Sequence, residues 1–125
     1  MKRIIIGFGI IFFIGILVLR CDFPMTKNSV VGVYANTNYG SKSCCVESPH
    51  KADTLILKSN GTFSSDFFGN GTYNVNYGIL NSEIELHYEY EMGKAGYYTY
   101  FSNKIFEKPK IILNSDLNHY YEKKK

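Results

Sequence analysis

Nine residues, Glu83–Glu91 (EIELHYEYE), constrain the fold more than any other stretch of the chain. Apolar and polar side chains alternate strictly along it. The apolar positions are Ile84, Leu86, Tyr88 and Tyr90, and the polar ones are Glu83, Glu85, His87, Glu89 and Glu91. Because successive side chains of a strand point to opposite faces of a sheet, this period of two predicts a strand with one buried and one solvent-facing side.

Further short segments rich in β-branched and aromatic residues follow one another between turn residues. The predicted strands cover residues 30–34, 53–58, 62–68, 72–77, 83–91, 97–101, 110–114 and 117–122. Asn60-Gly61 predicts a type I′ hairpin turn, because this turn needs positive φ values, and Gly69-Asn70-Gly71 predicts a second turn. About eight short strands predict an all-β antiparallel meander, which hides its edges best by closing into a small barrel or half-barrel.

One hydrophobic helix is expected before the strands. Ile4–Leu19 contains sixteen residues without a polar side chain, preceded by Lys2 and Arg3. A helix of this length would measure roughly 24 Å, slightly less than the ~30 Å hydrocarbon layer of a membrane, yet it exceeds a usual signal-peptide core. The predicted organisation is a signal or membrane anchor over 1–21, a linker over 22–29, the β domain over 30–122 and a basic tail over 123–125.

Cys21 leaves the mode of attachment open. Val18 and Cys21 resemble the lipidation box of bacterial lipoproteins, whereas Arg20 stands where that box has a small residue. Three interpretations remain: an uncleaved anchor, a lipoprotein lipidated on Cys21, and a cleaved secretory signal. Lys2 and Arg3 favour an amino terminus on the inner side and a domain exported to the periplasmic or cell-surface side.

The charge distribution argues against nucleic acid as a partner. The formal net charge is +3, but residues 21–122 hold eight basic and eleven acidic side chains. A nucleic-acid-binding domain needs a basic excess on its folded surface to displace counterions from the phosphates. The predicted domain lacks that excess.

Metal binding and catalysis find little support in the sequence. Cys44 and Cys45 are adjacent, and two free thiols are preferred over a strained disulfide or over a metal site with His50, whose spacing matches no zinc pattern. The three histidines are scattered, and no G-x-S-x-G nucleophile pattern is present. We expect no enzymatic activity, no metal and no cofactor.

The acidic row of Glu83–Glu91 has two interpretations. Alternate carboxylates on a strand lie about 6.6–6.8 Å apart, which suits paired carboxylates or a cation site. A solvent-facing strand provides no cleft to perturb their pKa values, so a solvated face is preferred. A surface for a cation or a basic partner is the alternative.

Aromatic residues also have two interpretations. They would either fill the core, which is preferred, or line a small apolar pocket. These residues are Phe63, Phe67, Phe68, Tyr73, Tyr97, Tyr98, Tyr100 and Phe101. A filled interior favours a module without a ligand, and a continuous cavity favours a binder.

Several motifs resemble small lipocalin-like exported bacterial proteins over residues 30–90. In chain order they are Gly32-x-Tyr34, Asp53-Thr54-Leu55-x-Leu57, Asn60-Gly61-Thr62-Phe63 and Gly71-Thr72-Tyr73. Tyr34 stands where lipocalins carry a tryptophan. The segment Leu113-Asn114-x-Asp116-Leu117-Asn118-x-Tyr120-Tyr121 resembles the end of a group of uncharacterised bacterial proteins. The resemblance implies a fold and no activity.

Together, these features predict a membrane-tethered, non-catalytic cell-envelope protein that serves as an interaction or structural module. The alternative is a small barrel that binds an apolar or amphipathic ligand. The sequence identifies the membrane as a partner through residues 1–21, and it names neither a protein partner nor ligand-binding residues.

Overall fold

A computed structural model describes residues 2–40 and 48–125, with side chains from residue 6 onward. In this part of the chain, helices α1 (Lys2–Arg20) and α2 (Lys27–Val30) precede eight strands. These are β1 (Gly32–Thr37), β2 (Thr54–Leu57), β3 (Thr62–Ser65), β4 (Gly69–Tyr77), β5 (Ser82–Tyr90), β6 (Gly93–Ser102), β7 (Lys110–Asn114) and β8 (His119–Lys123). Neighbouring strands pair antiparallel, and β8 pairs with β1. The predicted meander with one preceding hydrophobic helix is confirmed, and its barrel is closed.

The barrel interior is filled by side chains from all eight strands. The buried strand residues are Tyr34, Leu55, Leu57, Phe63, Ile84, Leu86, Phe101, Ile111 and Tyr121, with Tyr73 and Val75 partly buried on β4. The rings of Tyr34 and Phe101 lie with their centroids 6.5 Å apart. Burying each large apolar side chain contributes about 1.5–3 kcal/mol, so this core is the main source of stability.

In strand β5, the alternating side chains of the segment Glu83–Glu91 point in turn into the barrel and toward solvent. Ile84 and Leu86 are buried, as the pattern predicts. Tyr90 is 62% exposed, although the same pattern places it on the inner face. The reason is that β4 pairs with β5 only as far as Tyr88, so Tyr90 lies beyond the closed wall.

The turn at Asn60-Gly61 is a hairpin of a different type from the one predicted. The amide of Lys58 donates to the Thr62 carbonyl at 2.9 Å, which leaves a three-residue loop between these positions. Gly61 has a φ of 81°, whereas Asn60 is not among the residues with positive φ. This is a type I turn followed by a left-handed glycine, since a type I′ turn needs positive φ at both central residues.

The predicted turn at Gly69-Asn70-Gly71 is wrong. Strand β3 ends at Ser65, the chain turns over 66–68, and β4 already begins at Gly69. Ser65 Oγ accepts hydrogen bonds from the amides of Phe67 (3.1 Å) and Phe68 (3.0 Å). A serine that binds the backbone ahead of it fixes the turn earlier than the glycines suggest.

The short helix α2 (Lys27–Val30) begins inside the segment 22–29, where the sequence predicts a linker, and ends one residue after it. Thr26 caps α2: its Oγ1 accepts from the Ser29 amide at 3.3 Å, and Ser29 Oγ accepts from the Thr26 amide at 2.7 Å. This reciprocal pair is a capping box. Because Val30 belongs to α2, the first strand begins at Gly32 rather than at Val30.

Gly71 provides a test of the β4–β5 packing. A Cβ at this position would lie 2.0 Å from the His87 carbonyl oxygen, whereas one at Gly96, on the other side of β5, would have only contacts of 3.8 Å or more. We expect Gly71→Ala to lower the free energy of unfolding by about 1–3 kcal/mol, because the backbone must move apart. The control Gly96→Ala is expected to change it by no more than about 0.5 kcal/mol.

Urea denaturation of the full chain, followed by tyrosine fluorescence, measures both variants against the wild type. Equal denaturation midpoints for the two alanine variants would contradict the close approach of β4 and β5 at Gly71.

Candidate functional site

The apolar segment before the barrel forms α1, and its described large side chains are exposed. Phe8 and Phe12 are each 72% exposed. The other exposed members are Ile6, Ile10, Ile11, Phe13, Ile14, Ile16, Leu17, Val18 and Leu19. A contiguous apolar surface of this kind marks contact with a protein or a lipid. Within the described part of the chain, no helix is both long and apolar enough to cross a bilayer.

Asp22 fastens the end of α1 to the barrel. Its Oδ1 accepts hydrogen bonds from Ser102 Oγ (2.9 Å) and from the Asn103 amide (2.8 Å). The Phe23 amide donates to the Asn103 carbonyl at 2.7 Å. Cys21, directly before this attachment, has an exposed free thiol. Its position leaves the candidate lipidation site accessible at the junction of helix and barrel.

The eight aromatic residues considered for a pocket divide into two groups. Phe63, Phe68 and Phe101 are buried, and Tyr73 and Tyr97 are partly buried against them. Phe67, Tyr98 and Tyr100 are exposed. The described aromatic side chains therefore either pack the interior or face solvent, instead of sharing one cavity.

A buried polar cluster lies at the barrel end farthest from Asp22. Asp53 accepts hydrogen bonds from Ser65 Oγ (2.7 Å) and the Asp66 amide (2.9 Å). It also accepts a short hydrogen bond from the Tyr121 hydroxyl. Burial, and secondly the Asp53 carboxylate, raise the pKa of Tyr121, so its hydroxyl stays a donor. The carboxylate joins the start of β2, the β3–β4 turn and β8.

Asn36 and His119 extend this cluster across the β1–β8 seam. Asn36 Nδ2 donates to the carbonyls of Pro49 (3.0 Å) and Lys51 (2.8 Å), which leaves its Oδ1 as the acceptor toward His119 Nε2 at 2.8 Å. His119 Nε2 therefore carries a proton. Burial, and secondly the neighbouring His50, lower the pKa of His119, while a hydrogen bond to the Pro49 backbone acts in the opposite direction.

The hydrogen bonds of the cluster indicate a structural role more than a catalytic one. Ser65 bonds directly to Asp53, and His119 bonds to Asn36, so the histidine does not lie between a serine and an acid as a Ser-His-Asp triad requires. Every buried side-chain nitrogen and oxygen in the described residues has a hydrogen-bond partner. No local pattern in the sequence predicts this cluster, because Asn36, Asp53 and His119 are far apart along the chain.

Glu83, Glu85 and Glu89 of the acidic row lie on the outer face of β5, as the alternation predicts, whereas Glu91 lies in the turn after the strand. Asn76 Nδ2 donates to Glu83 Oε2 at 3.3 Å, and His87 Nε2 lies 3.5 Å from Glu85 Oε2. A hydrogen bond with Glu83 raises the pKa of Tyr98, which faces Glu85 from β6. In residues 2–40 and 48–125, no group of three or more His, Cys, Asp or Glu side chains is placed to hold a metal.

The structure brings together two histidines that are far apart in sequence. The rings of His50 and His119 lie with centroids 6.4 Å apart, whereas His87 is on the outer face. Cys44 and Cys45 lie outside the described residues, so the predictions of free thiols, and of a metal site with His50, are not tested.

Comparison of the chain with models of protein families gives no match, and comparison with curated proteins and solved structures gives no significant match either.

The buried His119 predicts a dependence of stability on pH. Its pKa is lowered in the folded state, so the unfolded chain takes up a proton first, near the ordinary histidine pKa of about 6.5. We expect the melting temperature to be highest above that pH and to fall as the pH decreases to about 5.5. His119→Gln should flatten this decline, whereas His87→Gln should keep it.

Thermal melts of the full chain by circular dichroism across this range provide the measurement. The same pH slope in the wild type and in His119→Gln would show that another group is responsible.

Proposed function

We propose that this chain is a non-catalytic cell-envelope protein, held at a membrane by its amino-terminal segment, whose exported barrel acts as an interaction or structural module. The observation that carries the proposal is the exposure of the apolar side chains of α1. Apolar surface in water is unfavourable by about 25 cal/mol per Å², and transfer to lipid removes that cost.

The junction between helix and barrel supports the same function. The hydrogen bonds of Asp22 fix the barrel one residue after Cys21. An attachment through the apolar segment and an attachment through an acyl chain on Cys21 would therefore hold the barrel in the same way. In the proposal the segment or the acyl chain enters the lipid, and the barrel stays outside it.

The filled interior supports a module over a ligand carrier. Tyr34, Phe63 and Tyr121 are at most 1% exposed and occupy the space that a lipocalin-type ligand would need. Membership of the small lipocalin-like exported bacterial proteins is part of the proposal, for which the closed barrel of eight antiparallel strands in the described chain gives the support.

Fractionation and vesicle flotation of the full chain test the attachment. We expect recovery with membranes, and we expect Phe8→Lys combined with Phe12→Lys to release the protein, because two charges in the apolar surface oppose burial in lipid. Lys94→Glu combined with Lys51→Glu, on the barrel, is the control and should leave recovery unchanged. Wild-type protein found mainly in the soluble fraction would contradict the proposal.

Cys21→Ser separates the two modes of attachment. An uncleaved anchor keeps the protein on the membrane in this variant, whereas a lipoprotein loses both its acyl group, by mass spectrometry, and its attachment. Cys44→Ser is the matched cysteine control and should change neither.

A further inference from the structure

One end of the barrel carries the junction with α1, and we call it the tethered end. It consists of the β2–β3, β4–β5 and β6–β7 connections (58–61, 78–81 and 103–109), the residues 22–31 that lead into β1, and residues 123–125. Contacts of Asp22 with Asn103, and of the Met25 amide with Ser82 Oγ at 3.1 Å, bind the leading residues to this end. The opposite end consists of the β1–β2, β3–β4, β5–β6 and β7–β8 connections.

The connections of the tethered end present large apolar side chains to solvent. Ile79 and Leu80 are 88% and 82% exposed at the β4–β5 turn, and Phe106 is 92% exposed in the β6–β7 connection. Phe106 has a φ of 65°, a conformation that large side chains rarely adopt. Phe23, also exposed, lies on the leading residues, and its amide donates to the Asn103 carbonyl at the start of the β6–β7 connection. Neither turn geometry nor the core accounts for apolar side chains at these positions.

The charges of the barrel are divided between its two ends. The tethered end carries seven basic residues, which are Lys27, Lys58, Lys104, Lys108, Lys123, Lys124 and Lys125, against Asp22 and Glu107. The charged residues described in the connections of the opposite end are Lys51 against Asp53, Asp66, Glu91 and Asp116. Glu89 and Lys94 pair with each other next to them, near the ends of β5 and β6 that meet there.

Both acids at the tethered end already have partners: Glu107 pairs with Lys110, and Asp22 accepts hydrogen bonds from Ser102 Oγ and the Asn103 amide. Lys27, Lys58, Lys108 and Lys125 are exposed and face solvent at the same end of the barrel as the apolar tips. Lys123 is held by the Ser29 carbonyl, and Lys124 pairs with Glu122.

We propose that the tethered end docks on the surface of an anionic bilayer. Ile79, Leu80 and Phe106 enter the interfacial layer, and the surrounding lysines contact lipid phosphates. Apolar tips and exposed lysines at one end of the barrel match this surface in both polarity and charge, which is how proteins recognise membranes that carry anionic lipids. The opposite end, with its acidic excess, is repelled from the same surface.

This inference rests on the proposed function, because the tether supplies the high local concentration at which such weak contacts matter. It also holds for either mode of attachment. The tethered end begins one residue after Cys21, so insertion of α1 and lipidation of Cys21 both place this end next to the headgroups.

The chain contains no tryptophan, so a single introduced tryptophan reports its own surroundings. Phe106→Trp probes the tethered end, and Met92→Trp is the matched control, since Met92 is equally exposed (92%) at the opposite end. The full-length variants are mixed with vesicles of equal amounts of phosphatidylcholine and phosphatidylglycerol, or of phosphatidylcholine alone. Brominated lipids serve as quenchers, and flotation of the same samples records attachment.

With the anionic vesicles, we expect the Phe106→Trp emission to shift to shorter wavelength and to be quenched, and the Met92→Trp emission to stay unchanged. With phosphatidylcholine alone, the shift and the quenching should be smaller. Adding Lys104→Glu and Lys108→Glu to Phe106→Trp should reduce both while flotation is retained. Adding Lys51→Glu and Lys94→Glu to Phe106→Trp, as the control, should leave the wavelength shift and the quenching unchanged. Unchanged melting temperatures confirm that the variants fold.

Flotation of both probes with equal emission from Phe106→Trp and Met92→Trp would overturn the docking and leave the tether standing. Loss of flotation would overturn the tether and the docking together. Quenching that is the same on neutral and anionic vesicles would overturn the recognition of anionic lipid.

Discussion

The pairing of β1 with β8 is the interaction on which the rest of the structure depends. Four residue pairs, from Tyr34 with Lys123 to Thr37 with Tyr120, join the two ends of the meander. Without them both strands would be open edges, and the buried side chains of Tyr34 and Tyr121 would meet water. Thr37 Oγ1 adds a hydrogen bond to the Tyr120 carbonyl at 2.9 Å, so the seam is held by side chains as well as by the ladder.

The buried polar cluster explains why this seam closes in one register. Asp53 and Asn36 bind partners on β8 and on the chain before β2, and a shift of β8 by one residue would turn Tyr121 and His119 outward. Such a shift would leave the Asp53 carboxylate buried without its donors, at a cost of several kcal/mol. The cluster therefore selects the register, while the apolar core supplies most of the stability.

The sequence predicts the strands better than it predicts the turns and the cluster. Glu83–Glu91 is a strand because its alternation is local and repeated, and Lys110–Asn114 is found with the predicted bounds. The turn before β4 is misplaced because Ser65 fixes it through hydrogen bonds to the next amides, a signal weaker in sequence than the glycines after it. Asp53 and Tyr121 are far apart in the chain, so only the closed barrel reveals that they are partners. The exposed Ile79 and Phe106 lie in strand connections, where no hydrophobic period predicts which side chains are exposed.

The position of the basic tail follows from the number of strands. In the described chain, eight antiparallel strands return the backbone to the end at which the first one began. Lys123–Lys125, which the sequence identifies only as a basic tail, therefore lies beside the residues that follow Cys21, and Lys123 Nζ donates to the Ser29 carbonyl at 2.6 Å. A barrel of seven or nine strands would place those lysines at the opposite, acidic end instead. Closure of the barrel thus produces both the stable core and the one-sided surface, because the same pairing that buries Tyr34 brings the tail to the tether.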